Sequence, residues 1–434
     1  MRVTRRGFGS FVGTSAMVFG FSPLLRCLSA RARADAGIIT GELISKLPRN
    51  TDELPDALRN IAFLSLPADF EYSVLSAPGQ TMTDGQPVPS NPDGMGAFEG
   101  RRGQTILVRN HELSSSGTGV TLAAATYDPA SHGGTTTLVV DCHGRLVEQY
   151  ASLAGTERNC SGGPTPRASW LSCEETFSER DGVRHGYVFE VPAGGFGEPM
   201  PLERLGRFNH EAAAIDPDSG AVYMTEDRSD SLLYRFRPDR CDDLRGPGVL
   251  EALRLVDWPS GVHTGTSFLS NLSVSLRADW VPIADYDPDA DTTRREGQAA
   301  GAATFAKGEG CVYAAGKIYF CCTAGGDLGR GQVFCYDPNS STLTLHVEST
   351  DVTVLDEPDG LTLAPNGHLL LCEDGSSGNG IVGVSPSGQL YPVARNIFSG
   401  SEFAGACFGP NSRFLFVNLY RDGLTLAIEG PFRS

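Results

Sequence analysis

The chain has 434 residues, 40% hydrophobic and 20% charged, with 52 Gly, 27 Pro and a formal net charge of −17. That acidity argues against nucleic acid as a partner, because phosphate binding needs basic surface. The glycine and proline content suits many short strands joined by turns rather than a helical protein.

The first predicted element is an export signal. Thr4-Arg5-Arg6-Gly7-Phe8-Gly9 carries a twin-arginine pair, and a moderately apolar stretch runs on from Phe8 to about Leu28. Ala30-Arg31-Ala32, Ala32-Arg33-Ala34 and Ala34-Asp35-Ala36 offer Ala-x-Ala cleavage sites. Pro23 and Arg26 interrupt the apolar stretch, so residues 1–36 read as a twin-arginine signal peptide and not as a membrane span. No other segment is long and apolar enough to cross a bilayer. The expected partner is the twin-arginine export machinery, which moves folded proteins, and the expected location is periplasmic or secreted. Removing 1–36 takes away six Arg and one Asp, which leaves the mature chain near −22.

Residues 37–434 read as a single domain, expected to be a monomer. One short helix is predicted around Leu54 to Ile61. Beyond it the chain repeats loosely: a small-residue turn, then an apolar strand that ends in polar or acidic residues. The instances are Thr105 to Glu112, Ser169 to Glu175, Ala221 to Asp227, Lys317 to Asp327, His368 to Gly375 and Arg413 to Leu419. Four are followed by a second strand ending near a proline, at 186–192, 232–238, 331–338 and 380–386. The steps are about 50 residues, the length of a four-stranded propeller blade, with a longer excursion around 240–300. The pattern predicts an all-β fold, a six-bladed β-propeller, with a stacked β-sandwich pair as the alternative. In a propeller, equivalent strand ends converge near the axis, which predicts an axial metal site.

The polar residues at those ends are Asn110-His111-Glu112, Glu174-Glu175, His210-Glu211, Glu226-Asp227-Arg228, Lys307-Gly308-Glu309, Glu357-Pro358-Asp359, Glu373-Asp374 and Glu402. A lone acid at a strand end is most often a solvated rim charge. Acids recurring at one phase of a repeat form a ring of like charge, which costs stability unless cations offset it. Oxygen-rich sites suit Ca²⁺, Mg²⁺ or Mn²⁺, and high-valent iron also accepts carboxylates. His111 and His210 are equally readable as ligands or as hydrogen-bonding supports. Of the ten cysteines beyond the signal, none has C-x-x-C spacing, so a zinc knuckle is not expected. Cys160 differs from the strand cysteines: it lies in a loop, Asn159-Cys160-Ser161-Gly162-Gly163-Pro164, whose glycines allow close approach. No nucleotide-binding fingerprint and no G-x-S-x-G elbow stands in a suitable context.

The motifs NHE, NCSGGPTPRASWLSCEET, GRFNHEAAAIDPDSGAVYMTEDR, FAKGEGCVY, EPDGLTLAPNGHLLLCEDG and SEFAGACFGPNSRFLFVNLY, in this order, resemble those of the PhoX-type alkaline phosphatases. The resemblance covers nearly the whole chain from about residue 100. It implies a six-bladed propeller with an axial site of two Fe³⁺ and several Ca²⁺, and hydrolysis of small-molecule phosphomonoesters. It also implies that Cys160 is a thiolate ligand of iron and that Glu211 and Glu309 are iron carboxylates. Glu112, Glu174, Glu175, Glu226, Asp227, Glu373 and Asp374 become metal-cluster residues, shared between iron and calcium. Lys307, and with it Arg228, would hold the substrate phosphate. The chain departs from the family pattern twice. Lys307 stands where the family usually has Arg, and Lys binds phosphate as a point charge without the bidentate fork. Arg167-Ala168 replaces the Trp-Gly of the usual loop.

Two other functions compete on the residues alone. A calcium-dependent lactonase or esterase on a six-bladed propeller needs one metal and no thiolate. A non-catalytic, calcium-stabilised propeller acting as a binding module needs no redox metal. Cys160 discriminates both from the phosphatase.

Overall fold

The computed structural model describes residues 37–39, 41–241, 243–265, 274–376 and 378–432. The segment read as an export signal, 1–36, lies outside them. Among the described residues one α-helix occurs, Thr293–Ala299 (α1), and the rest is strand, turn and short 3-10 segments. The helix expected around Leu54 to Ile61 is instead two 3-10 turns, Thr51–Glu53 and Asp56–Leu58. Pro55 between them lacks the amide that a continuous helix would need there.

Each repeat contributes an innermost strand and a second strand antiparallel to it. These are β1 (Pro92–Glu99) with β2 (Thr105–His111), β3 (Asn159–Pro164) with β4 (Ser169–Glu174), and β5 (His210–Ile215) with β6 (Val222–Glu226). The series continues with β7 (Gly308–Ala314) and β8 (Lys317–Cys322), β9 (Pro358–Leu363) and β10 (Leu369–Glu373), and β11 (Phe403–Phe408) and β12 (Phe414–Leu419). The even-numbered strands read as unbroken apolar runs, such as Val222-Tyr223-Met224 and Leu369-Leu370-Leu371, because neighbouring sheets cover both of their faces. Further strands extend each pair outward. The β5 and β7 sheets merge into one nine-stranded sheet through Ser275–Ile283, which pairs with both Gly248–Leu255 and Thr342–Glu348. Part of the predicted excursion is thus regular strand, with α1 packed on it. The last sheet is completed from the other end of the chain: Glu71–Ser76 pairs with Leu424–Glu429. The arrangement is all-β and propeller-like. Its innermost strands neighbour one another in a cycle, β1 against β3, β3 against β5, and so on to β11 against β1.

Among the described residues, all six innermost strands lose register near their start. The shifts lie between Pro92 and Met95, Asn159 and Gly162, His210 and Ala213, Gly308 and Cys311, Pro358 and Leu361, and Ala404 and Cys407. A bulge bends its strand and re-aims a side chain. Here the same device recurs six times, at the end of the strands where the acidic residues lie. Glycine permits the crowding: at Gly405, with φ of 61°, a Cβ would stand 2.2 Å from the Asp93 carbonyl oxygen.

Candidate metal centre

The bulges gather one side chain from each of five strands. Asp93, Cys160, Glu211, Glu309 and Asp359 are the second residues of β1, β3, β5, β7 and β9. On β11 the second residue is Ala404, and Glu402 stands just before the strand. A second tier follows from the even strands, whose next residues are Glu112, Glu175, Asp227, Thr323, Asp374 and Tyr420.

Three overlapping groups have donor atoms within 4.8 Å of one another: Asp93, Glu112 and Cys160; Cys160, Glu175 and Glu211; and Glu211, Glu309 and Asp359. Cys160 Sγ donates to Glu211 Oε1 at 3.2 Å. Thr323 Oγ1 donates to Glu309 Oε1 at 3.1 Å, and Lys307 Nζ pairs with the same oxygen at 2.7 Å. The Tyr420 hydroxyl donates to Glu112 Oε2.

Burial and crowding shift several of these acids toward protonation. Burial, then Glu309 and Asp359, pushes the Glu211 carboxyl well above its ordinary range. Burial, then Asp359 and Asp227, does the same to Glu309. Asp93 is raised well above its range by burial and then Glu112, and Asp359 rises to about 6, chiefly through burial. Glu175 rises to about 8, burial outweighing the guanidinium of Arg158, and Glu402 to about 9. Burial, Asp93 and Glu211 together hold the Cys160 thiol neutral. A bound cation would replace those protons, so the donors fit a metal by charge as well as by number. For Lys307, burial would lower the pKa, but Glu309 and Asp227 outweigh it and keep the ammonium charged.

The other expected metal residues are placed differently. Glu174, Glu226 and Glu373 are the last residues of β4, β6 and β10, one position before the second tier, and alternation turns them away from it. Glu174 accepts from the amides of Glu157 (2.8 Å), Gly186 (2.8 Å) and Tyr187 (3.2 Å) and bonds His185 Nδ1 at 2.7 Å. Glu373 accepts from the amides of Asp356 and Gly380, and Glu226 from the Tyr234 hydroxyl. These three acids anchor backbone and neighbouring strands; none joins the three groups. Asp227 lies 3.9 Å from Lys307 Nζ and Asp374 beside Glu402, both at the rim. The two histidines are supports. His111 bonds the Ser90 carbonyl and Thr136, and burial lowers His210 to about 3, its ring stacked on Phe208 and bonded to the Gly206 carbonyl.

Of the two expected phosphate cations, Lys307 reaches the group, while Arg228 donates to Asn209 Oδ1 at 2.7 Å and lies 3.4 Å from Asp291. A cation not singled out from the sequence stands at the mouth: Arg158 NH2 bridges Glu112, at 2.7 Å, and Glu175. Asp93 was also missed, and Asp359 was not carried into the site. The signal was a repeat, Pro92-Asp93-Gly94 and Pro358-Asp359-Gly360, each opening an innermost strand.

Residues 51–423 match the model of a family described as "Alkaline phosphatase PhoX". Among solved structures the chain is similar to Pseudomonas fluorescens PhoX in complex with vanadate, a transition state analogue, with a TM-score of 0.67 and 18% identity over 85% of this chain and 96% of that one. It is more distantly similar to a gluconolactonase from Xanthomonas campestris, with a TM-score of 0.39 and 13% identity over 79% of this chain and 97% of that one. No curated protein sequence matches it.

Proposed function

The chain belongs to the PhoX alkaline phosphatase family, metal-dependent phosphomonoesterases, and from that premise we propose a six-bladed propeller whose axial group holds Fe³⁺ and Ca²⁺. Cys160, Glu211 and Glu309 would take iron. Asp93, Glu112, Glu175 and Asp359 would complete the cluster, with calcium at the all-oxygen positions. The donor chemistry supports this reading. A thiol within 3.2 Å of a buried carboxylate, among acids that burial and mutual repulsion protonate, suits a thiophilic, highly charged ion. Oxygen-only neighbours suit a hard cation. Bound there, such ions would neutralise phosphate oxygens and supply a nucleophile at ambient pH.

The chain's own residues do the rest. Lys307, on a left-handed backbone with φ of 61°, holds its ammonium at the group and binds one phosphate oxygen as a point charge. Arg158, fixed between Glu112 and Glu175, stands partly exposed at the entrance. Arg228 braces Asn209 and Asp291 rather than substrate. Support for the family-wide assignment is the placement of five potential ligands on the second residue of successive innermost strands. The protein is proposed to work as a monomer outside the cytoplasm, after export by the twin-arginine route. Elemental analysis of the natively exported protein tests the reading. Iron with calcium sustains it; calcium without iron moves the function to a binding module.

A further inference from the structure

A polar cleft of about 270 Å³ opens beside the axial group. It shares two walls with that group: Glu112, whose carboxylate neighbours Asp93 and Cys160, and Arg158 at the mouth. Backbone bonds fix these walls. Glu112 N donates to the Asn91 carbonyl at 3.0 Å, and Arg158 N to the Leu113 carbonyl at 2.9 Å. The rest of the lining is rich in hydroxyls and amides, from Ser90, Asn91, Ser114 and Ser116. Ser114 and Ser116 are exposed, and among the described residues no side chain engages their hydroxyls. Leu113 is buried, and the Tyr420 hydroxyl already serves Glu112. An occupant therefore meets hydrogen-bonding groups on most sides.

We infer that this cleft receives the alcohol part of the ester, and that the preferred substrates are phosphomonoesters of small polyhydroxy alcohols such as glycerol. The inference rests on the phosphatase reading above. Glu112 and Arg158 border both the axial group and the cleft, so an ester whose phosphate sits at the group with its ester oxygen toward them leads its alcohol part into the cleft. The space corresponds to about nine waters, which is the scale of a short polyol. A chain of hydroxyls replaces the hydrogen bonds of displaced water, whereas an aryl or alkyl group strands the serine and asparagine groups unpaired. The same asymmetry lets a polar site reject an analogue that lacks a hydroxyl.

The test compares kcat/KM for glycerol 3-phosphate and phenyl phosphate, using metal-replete full chain and a Ser114→Leu, Ser116→Leu double variant. Both positions are exposed and outside the axial group, so folding is spared. Wild type should favour the glycerol ester, and the variant should lose about tenfold on it while phenyl phosphate is unchanged or improves. A titration that needs no turnover runs alongside. Binding of 3,4-dihydroxybutylphosphonate should weaken about tenfold in the variant, and that of butylphosphonate should not. A wild-type preference for phenyl phosphate, or equal losses on both esters, overturns the assignment. If neither ester is hydrolysed the phosphatase reading falls, and the phosphonate titration still decides whether the cleft selects hydroxyls.

Discussion

Cys160 Sγ stands 3.2 Å from Glu211 Oε1, although 51 positions separate the two residues in sequence. They are equivalent residues on consecutive innermost strands, each re-aimed by a bulge. A neutral thiol donating to a carboxylate is the proton-loaded form of a metal-binding pair. A ferric thiolate absorbs visible light, so the loaded protein should be coloured. Cys160→Ser should bleach it and lower phosphomonoesterase activity by at least about 100-fold, the upper range for loss of a group that merely supports a metal ligand. Circular dichroism should be unchanged. A coloured, active Cys160→Ser protein refutes the thiolate assignment.

Removal of calcium should destabilise the protein. Carboxylates at Asp93, Glu112, Glu175, Glu211, Glu309 and Asp359 repel one another without a cation. A cation at 1,000 times its dissociation constant contributes about 4 kcal/mol. EGTA should lower the melting temperature and calcium should restore it. An unchanged melting curve after verified metal removal sinks this prediction.

Lys307→Ala should leave colour intact and weaken phosphate binding. A charge-assisted hydrogen bond is worth about 2 kcal/mol, roughly 30-fold in the inhibition constant of inorganic phosphate. Lys307→Arg should restore binding, since the fork also meets phosphate. A phosphate inhibition constant unchanged in Lys307→Ala assigns the ammonium to neutralising Glu309 alone.

His185 gives a pH signature from outside the three donor groups. Its ring is buried between Glu174 Oε1 (2.7 Å) and Asp128 Oδ2 (3.3 Å), and although burial opposes charge, these carboxylates raise its pKa. A raised folded-state pKa stabilises fully below the unfolded value of about 6.5, and that contribution is lost as pH rises through the folded value. His185→Gln should flatten the stability profile across this alkaline limb. Parallel profiles for the two proteins in urea titrations would show that His185 does not contribute.

Arg5 and Arg6 are expected to direct export. Replacing both with Lys should leave the precursor in the cytoplasm, measured by fractionation. Normal secretion of the double variant removes the twin-arginine route.

Much of the site was legible because acids recur at one phase of an apolar repeat, as in Glu174-Glu175, Glu226-Asp227 and Glu373-Asp374. What the pattern could not reveal is which member of each pair lies on the side of the donor groups. Strand alternation gives Glu175, Asp227 and Asp374 to the second tier and turns Glu174, Glu226 and Glu373 toward backbone amides and neighbouring strands. Asp93 was hidden by its own context, since Asn91-Pro92-Asp93-Gly94 has turn composition, yet Pro92 opens a strand. Arg158 gave no signal, because its role depends on two glutamates from different strand ends. The pairing of Glu71–Ser76 with Leu424–Glu429 was likewise invisible: neither segment carries a mark that names its partner.

That last pairing has a consequence for biosynthesis. Synthesis proceeds from the N-terminal side, so the strand Glu71–Ser76 waits for Leu424–Glu429, which lies far later in the sequence. Until then Glu71–Ser76 has no partner strand, and the β11 sheet lacks its two outer strands. A polypeptide stopped before Leu424 would keep the innermost strands and leave Glu71–Ser76 unpaired. Pairing of these two strands thus makes the β11 sheet a joint product of segments far apart in sequence, complete only once both are present.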